Sequence, residues 1–210
     1  MDYVSARMKG KPLDSVYFGG GTPTSLSAED LDAVLCKVKS VFPAQEAKEF
    51  TVEAGRPDSI TREKLTVLKN HGITRISLNP QTMKQETLDL IGRRHNVQEV
   101  KDTFHLAREM GFDNINMDVI VGLPGETPDD VRHTMEEIRA LGPDSLTVHS
   151  LAVKRAARLN IEKARYSGFK PENTQEMIET TARCAKEMGM SPYYLYRQKN
   201  MAGNFENVGY

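Results

Sequence analysis

VYFGGGTPTSL, residues 16 to 26, decides the fold. Three apolar residues, Val16, Tyr17 and Phe18, run straight into Gly19, Gly20 and Gly21, and Thr22, Pro23 and Thr24 follow. A buried strand that ends in glycines just ahead of a helix is the strand-to-helix turn of a βα unit. The helix announces itself with Ser27, with Asp30 three residues on as an approximate capping box. Leu31, Val34, Leu35 and Val38 then recur at helical spacing to about Val41. Three readings of the glycines stand side by side. They form a tight turn that needs positive φ. They cradle a phosphate, as nucleotide loops do between strand and helix. Or their bare backbone edge offers C=O and N–H groups to a ligand ammonium or carboxylate. Neither GxGxxG nor GxxxxGKS/T is present, and Glu53 supplies the acid of a dinucleotide site only at loose spacing.

The same unit repeats along the chain. Strands are expected at Glu49–Glu53, Ile73–Leu78, Ile115–Val121, Ser145–His149 and from Pro192 to Tyr196. Helices are expected at Thr61–His71, Lys84–Ile91, Val97–Met110, about Asp129 to Leu141, and Glu172–Met188, several of them closed by glycine. About six βα repeats with short connections predict an α/β fold, parallel strands inside and helices outside. The sheet closes as a full or partial barrel or stays open and doubly wound. In either case ligands sit at the C-terminal ends of the strands. The polar residues there are Gly19 to Thr22, Glu53, Asn79 and Gln81, Asp118, and His149 with Ser150.

Composition narrows the class. The 210 residues suffice for a sizeable core, and no composition shift or low-complexity tract marks an internal boundary, so one domain over 1–210 is expected. Lys and Arg number 28 against 29 Asp and Glu, which argues against a whole-protein field for nucleic acid or membrane. No apolar run approaches a membrane span and MDYVSARMKGK has no apolar core of a signal peptide, so a cytoplasmic protein is expected. Cys36 and Cys184 lie in different helices and are expected as reduced core thiols. The five histidines show no HxxxH or HExxH, so no metal site is expected, and His149 alone is placed near the site. GxSxG is absent.

Five motifs in order carry a resemblance. GGGTPT is similar to the glycine-rich strand-end motif of radical S-adenosylmethionine enzymes of the oxygen-independent coproporphyrinogen III oxidase group. TVEAGRPDSIT resembles that group's strand with a ligand glutamate, here Glu53, and GITRISLNPQTM its G-x-x-R-x-S-x-x-x-Q segment with Arg75, Ser77 and Gln81. TLDLIGRRH resembles L-x-x-(I/L)-x-R-x-H with Arg93 and His95. NINMDVIVGLPGET resembles the strand N-x-D-(L/I)-I-x-G-L-P-x-Q/E-T with Asp118. Together they cover residues 16 to 128. LTVHSLAVKRAARLN and YYLYRQKNMAGNFENVGY look closest to the coproporphyrinogen dehydrogenase branch.

The resemblance implies a partial (β/α)6-type radical SAM barrel with parallel strands and outer helices. It implies that Gly20, Gly21 and Thr22 contact the methionine moiety of S-adenosylmethionine. It also implies that Glu53, Gln81, Arg93 and Asp118 bind this cofactor, and that Ala152 gives a backbone contact after the fifth strand. The residue types suit the ligand: an arginine fork for a carboxylate, carboxylates or amides for ribose hydroxyls. The implied reaction begins with a 5′-deoxyadenosyl radical that takes hydrogen from a propionate of coproporphyrinogen III. Carbon dioxide leaves, and two rounds give protoporphyrinogen IX. An electron donor is implied for the parent enzyme. Lys154, Arg155 and Arg158, with Lys154 and Arg158 at i, i+4 if helical, are candidates to meet the propionates of this tetrapyrrole. Tyr194 and Tyr196 are expected in the core.

One departure shapes the expectation. The family holds a 4Fe–4S cluster on a CxxxCxxC loop ahead of GGGTPT, and MDYVSARMKGKPLDS has no cysteine. The chain is therefore expected to be a piece of a larger enzyme, without the first strand, the cluster loop and the C-terminal domain. The cluster then belongs to the full-length parent only, and reductive cleavage of the cofactor is lost here. A heme-binding trafficking relative of the same fold is the first rival function. An unrelated barrel with GGGT as a phosphate cradle is the second.

Overall fold

In a computed structural model of the chain, residues 1–152, 174–197, 203 and 205–210 are described. The strands are β1 (Ser15–Phe18), β2 (Glu49–Gly55), β3 (Arg75–Gln81), β4 (Ile115–Val121), β5 (Ser145–Ser150), β6 (Tyr194–Tyr196) and β7 (Asn207–Gly209). The helices are α1 (Asp2–Met8), α2 (Ala28–Val41), α3 (Arg62–Asn70), α4 (Gln85–Leu90), α5 (Val97–Glu109), α6 (Pro128–Leu141) and α7 (Gln175–Glu187). In the sheet the strands follow the order β1-β2-β3-β4-β5-β7-β6. The chain divides into two compact units, Met1–Asn79 with Lys101–Asn116, and Pro80–Val100 with Met117–Tyr210.

In the first unit β2 runs parallel to both β1 and β3. Leu31 and Leu35 of α2, Leu65 and Leu68 of α3, and Val52, Ile76 and Leu78 of the strands are fully buried. Each such side chain removed from water contributes about 1.5–3 kcal/mol. The helix starts obey the expected capping chemistry. Ser27 accepts from the Asp30 N–H and Thr61 from the Lys64 N–H, satisfying N–H groups that the helix leaves without a partner. The sequence reading missed α1, which has no side-chain cap and buries no residue. It is tied down by Asp2, which pairs with Lys37 at 2.6 Å, and by the Ser5 hydroxyl, which donates to the Val41 carbonyl.

In the second unit Val131, Met135 and Ile138 of α6 and Met177, Cys184 and Ala185 of α7 form the apolar helix faces. Thr127 and Asp130 make a full capping box at the start of α6, and Gly142 ends it at φ 71°. Three expectations are corrected here. The last part of the sheet is not a simple parallel repeat. β7 lies between β5 and β6 and is antiparallel to both. Tyr194 and Tyr196 are not core: they stand 49% and 47% exposed on this edge strand. Burial pushes the thiol of Cys184 up, as expected of a core cysteine. In the first unit, by contrast, Cys36 is exposed.

Candidate functional site

The glycine stretch sits at the C-terminal end of β1, and its three glycines differ in surroundings and backbone. At Gly19 a Cβ would come within 2.4 Å of the Tyr17 ring and 2.9 Å of the Glu53 carboxyl carbon, so these two side-chain ends would have to move to admit one. Gly20 has φ 110°, a conformation that only glycine adopts readily. Gly21 has no positive φ, and a Cβ there would meet nothing within 4 Å. Neither backbone conformation nor any neighbour in the chain requires glycine at this position.

Glu53 faces this edge from β2. The Gly20 N–H donates to its Oε2 at 3.2 Å, and the Tyr17 hydroxyl donates to Oε1. A register shift between Glu53 and Gly55 sets a bulge there, a common device for re-aiming a side chain. Beneath the edge, the Thr22 methyl lies where a Cβ on Gly55 would approach within 2.8 Å. Thr24 is fully buried and donates to the Ala54 carbonyl. The Lys64 ammonium donates to the Thr24 and Ser59 carbonyls at 2.5 and 3.1 Å. These bonds tie Thr24, just past the glycines, to the end of β2 and, through Lys64, to Ser59.

In the second unit Gln81 closes β3 with φ 71°, one of two non-glycine residues of positive φ in the described chain. Such a conformation costs on the order of 1–3 kcal/mol and persists where the surroundings over-determine it. Here Thr82, next in the chain, donates to Glu126 Oε1 at 2.6 Å and accepts from the Lys84 N–H at 3.2 Å. The Met83 N–H donates to Thr134 Oγ1 at 3.1 Å. Glu126 is 7% exposed, and burial raises its pKa above the usual carboxylate range against the hydroxyls of Thr82 and Thr87, which lower it. Sequence reading missed Glu126, Thr82 and Tyr17. For Glu126 the only local signal is its place in GLPGET, just ahead of the capping Thr127.

Asp118 of β4 and His149 of β5 come together, Oδ2 to Nε2 3.7 Å. Ala152 forms an isolated bridge just beyond, and the Leu151 N–H donates to the Val121 carbonyl at 2.9 Å. Arg93 is half-buried after α4, its N–H bonded to the Leu88 carbonyl. His95 is buried with Nε2 3.4 Å from the Pro80 carbonyl, which ties its motif to the end of β3. Lys154, Arg155 and Arg158 lie outside the described residues. No helix among the described residues is long and apolar enough to cross a membrane.

Mostly parallel strands with helices between them define an α/β protein of the barrel type. The chain belongs to the radical SAM superfamily, whose profile matches residues 3–138. It is 50% identical over 199 residues to the oxygen-independent coproporphyrinogen-III oxidase-like protein HemZ of Bacillus subtilis, covering 94% of this chain and 40% of that protein. It is 36% identical over 188 residues to the heme chaperone HemW of the same organism, covering 88% and 49%. Among solved structures, coproporphyrinogen III oxidase (HemN) of Escherichia coli matches with a TM-score of 0.81 at 22% identity, over 98% of this chain and 45% of that one. The fold is accordingly that of a partial radical SAM barrel. The chain spans less than half the length of each of these relatives.

Proposed function

We propose that residues 1–210 act as one domain that binds S-adenosylmethionine, with Gly20, Gly21 and Thr22 against its methionine moiety. The observation that carries this reading is Gly21, a glycine that nothing in the chain itself demands. The donor set fits. The edge leaves room where side chains would stand, Glu53 accepts from a ligand ammonium or hydroxyl, and the backbone groups beside it are held by Thr24 and Lys64. Gln81, Arg93, Asp118 and Ala152 are assigned to the same cofactor on the resemblance of their motifs. When bound, the cofactor supplies radical chemistry; the chain's part is to orient it and exclude water.

For the longer protein we infer oxidative decarboxylation of coproporphyrinogen III to protoporphyrinogen IX. The half-identical HemZ relative and the motifs support it. Lys154, Arg155 and Arg158 then face the substrate's propionates. A second reading, heme trafficking without oxidation, is favoured by the likeness to heme chaperones. A 4Fe–4S cluster does not fit the cysteines present. There are two, Cys36 exposed in α2 and Cys184 buried in α7, against the three of the family's loop. The chain by itself is therefore assigned cofactor binding without reductive cleavage.

Calorimetric titration of S-adenosylmethionine into the chain tests the core reading. Binding that is lost in Gly21→Val, with the fold intact by circular dichroism, supports it. Equal binding by both, or none by the native chain, refutes it. Product analysis with coproporphyrinogen III and with heme separates the two functions of the longer protein.

A further inference from the structure

We infer a second, independent site in this chain: a thiophilic divalent metal, zinc by its chemistry, held by Asp32, Cys36 and His71. Asp32 and Cys36 stand at i, i+4 on one face of α2, and His71 is the residue that ends α3. One ligand atom from each lies within 4.8 Å of the other two. His71 Nε2 is 2.8 Å from Asp32 Oδ1 and 4.0 Å from Cys36 Sγ, and Sγ is 3.8 Å from Asp32 Oδ2. Tetrahedral zinc with sulfur at about 2.3 Å and nitrogen or oxygen at about 2.0–2.2 Å needs its ligand atoms about 3.4–3.6 Å apart. The Asp32–His71 pair opens by about 0.6 Å and the sulfur closes in by about 0.2–0.5 Å to reach that spacing, movements open to the exposed Asp32 and Cys36 side chains.

Two further observations point the same way. The His71 side chain is 9% exposed, so its ring is fixed with Nε2 aimed at the sulfur and the carboxylate. Its Nδ1 is buried without a hydrogen bond, so Nε2 is the nitrogen available for recognition. The mixed sulfur, nitrogen and oxygen set disfavours magnesium and calcium, which take oxygen ligands. Water completes the fourth position on the exposed side. On binding, the Cys36 thiol proton passes to solvent and the ring proton moves to Nδ1. That nitrogen has no acceptor, which makes the site a weaker one than a buried site with a second shell.

The site is separate from the glycine edge. β1 and β3 both run parallel to β2, and His71 precedes the start of β3 whereas the glycines follow the end of β1. Its role is to pin α2 to the end of α3.

The test is an anaerobic titration of Co2+ into the full, reduced chain. The expected result is thiolate-to-cobalt charge-transfer absorption and tetrahedral visible bands that saturate at one equivalent and are displaced by Zn2+. The absorption vanishes in Cys36→Ser, and affinity falls roughly tenfold or more in Asp32→Asn, at least what an outer-shell partner is worth. Zn2+ raises the melting temperature of the native chain and not of Cys36→Ser. Absence of the charge-transfer band, or a band of equal strength in Cys36→Ser, overturns the proposal.

Discussion

Glu126→Gln is the substitution whose outcome is most tightly set by the geometry. The carboxylate is 7% exposed and accepts from Thr82 at 2.6 Å, and burial is the leading cause that raises its pKa, with the nearby Asp130 charge adding to it. A glutamine keeps the acceptor for Thr82. It exchanges a hydrogen bond to a charged group, about 1.5–3 kcal/mol, for a neutral one of about 0.5–1.5 kcal/mol. It also removes the cost of holding a charge away from water, about 1.4 kcal/mol for each unit by which the folded pKa is raised. These oppose each other at neutral pH. The pH dependence carries the sign. A group whose pKa is raised by folding contributes stability that is fully present below its unfolded value and is lost as pH rises through the folded value. The unfolded value for glutamate is about 4.3. The native chain thus loses this contribution as pH rises above about 4.3 and through the higher folded value, and the glutamine variant has nothing to lose. Urea unfolding of both proteins across that range, with m held common, reads the difference directly. The stability of Glu126→Gln minus that of the native chain grows as pH rises. A difference that stays flat, or shrinks, refutes the reasoning.

Three further outcomes follow from the site. Gly20→Ala forces an L side chain to φ 110° and costs about 1–3 kcal/mol in thermal or urea unfolding. Gly21→Ala stays within about 0.5 kcal/mol of the native chain in the same unfolding assay. Thr82→Val strips the buried Glu126 of its 2.6 Å donor and destabilises by about 1–3 kcal/mol, read by urea unfolding at neutral pH.

What could be read from the sequence was what local spacing encodes. The glycine stretch after Phe18, the Ser27 and Thr61 caps and the strand-end Glu53 and Asp118 all follow from neighbours within a few residues. β7 did not, because Asn207–Gly209 is three residues long and has no alternation of its own. Its place is set by partners far away in sequence, among them the Ser150 N–H donating to Asn207 Oδ1 at 2.9 Å. Cys36 was legible and misread. With Leu31 and Leu35 inward, a residue one step past Leu35 turns about 100° away from the core and lands above Asp32. The meeting of that pair with His71 could not be read, since spacing within one helix is silent about what another helix brings.

Gln81 shows how the two kinds of information combine. Its motif marked it as a candidate, yet nothing in LNPQTM signals a left-handed backbone at a residue with a side chain. Glutamine does not choose φ 71° on its own. The conformation is held by the next residues, where Thr82 is bonded to Glu126 and the Met83 N–H to Thr134. Glu126 thereby braces the strand end through Thr82. A bracing residue of this kind lies in a network of hydrogen bonds across about 45 residues of chain, and single-sequence pattern has no access to it.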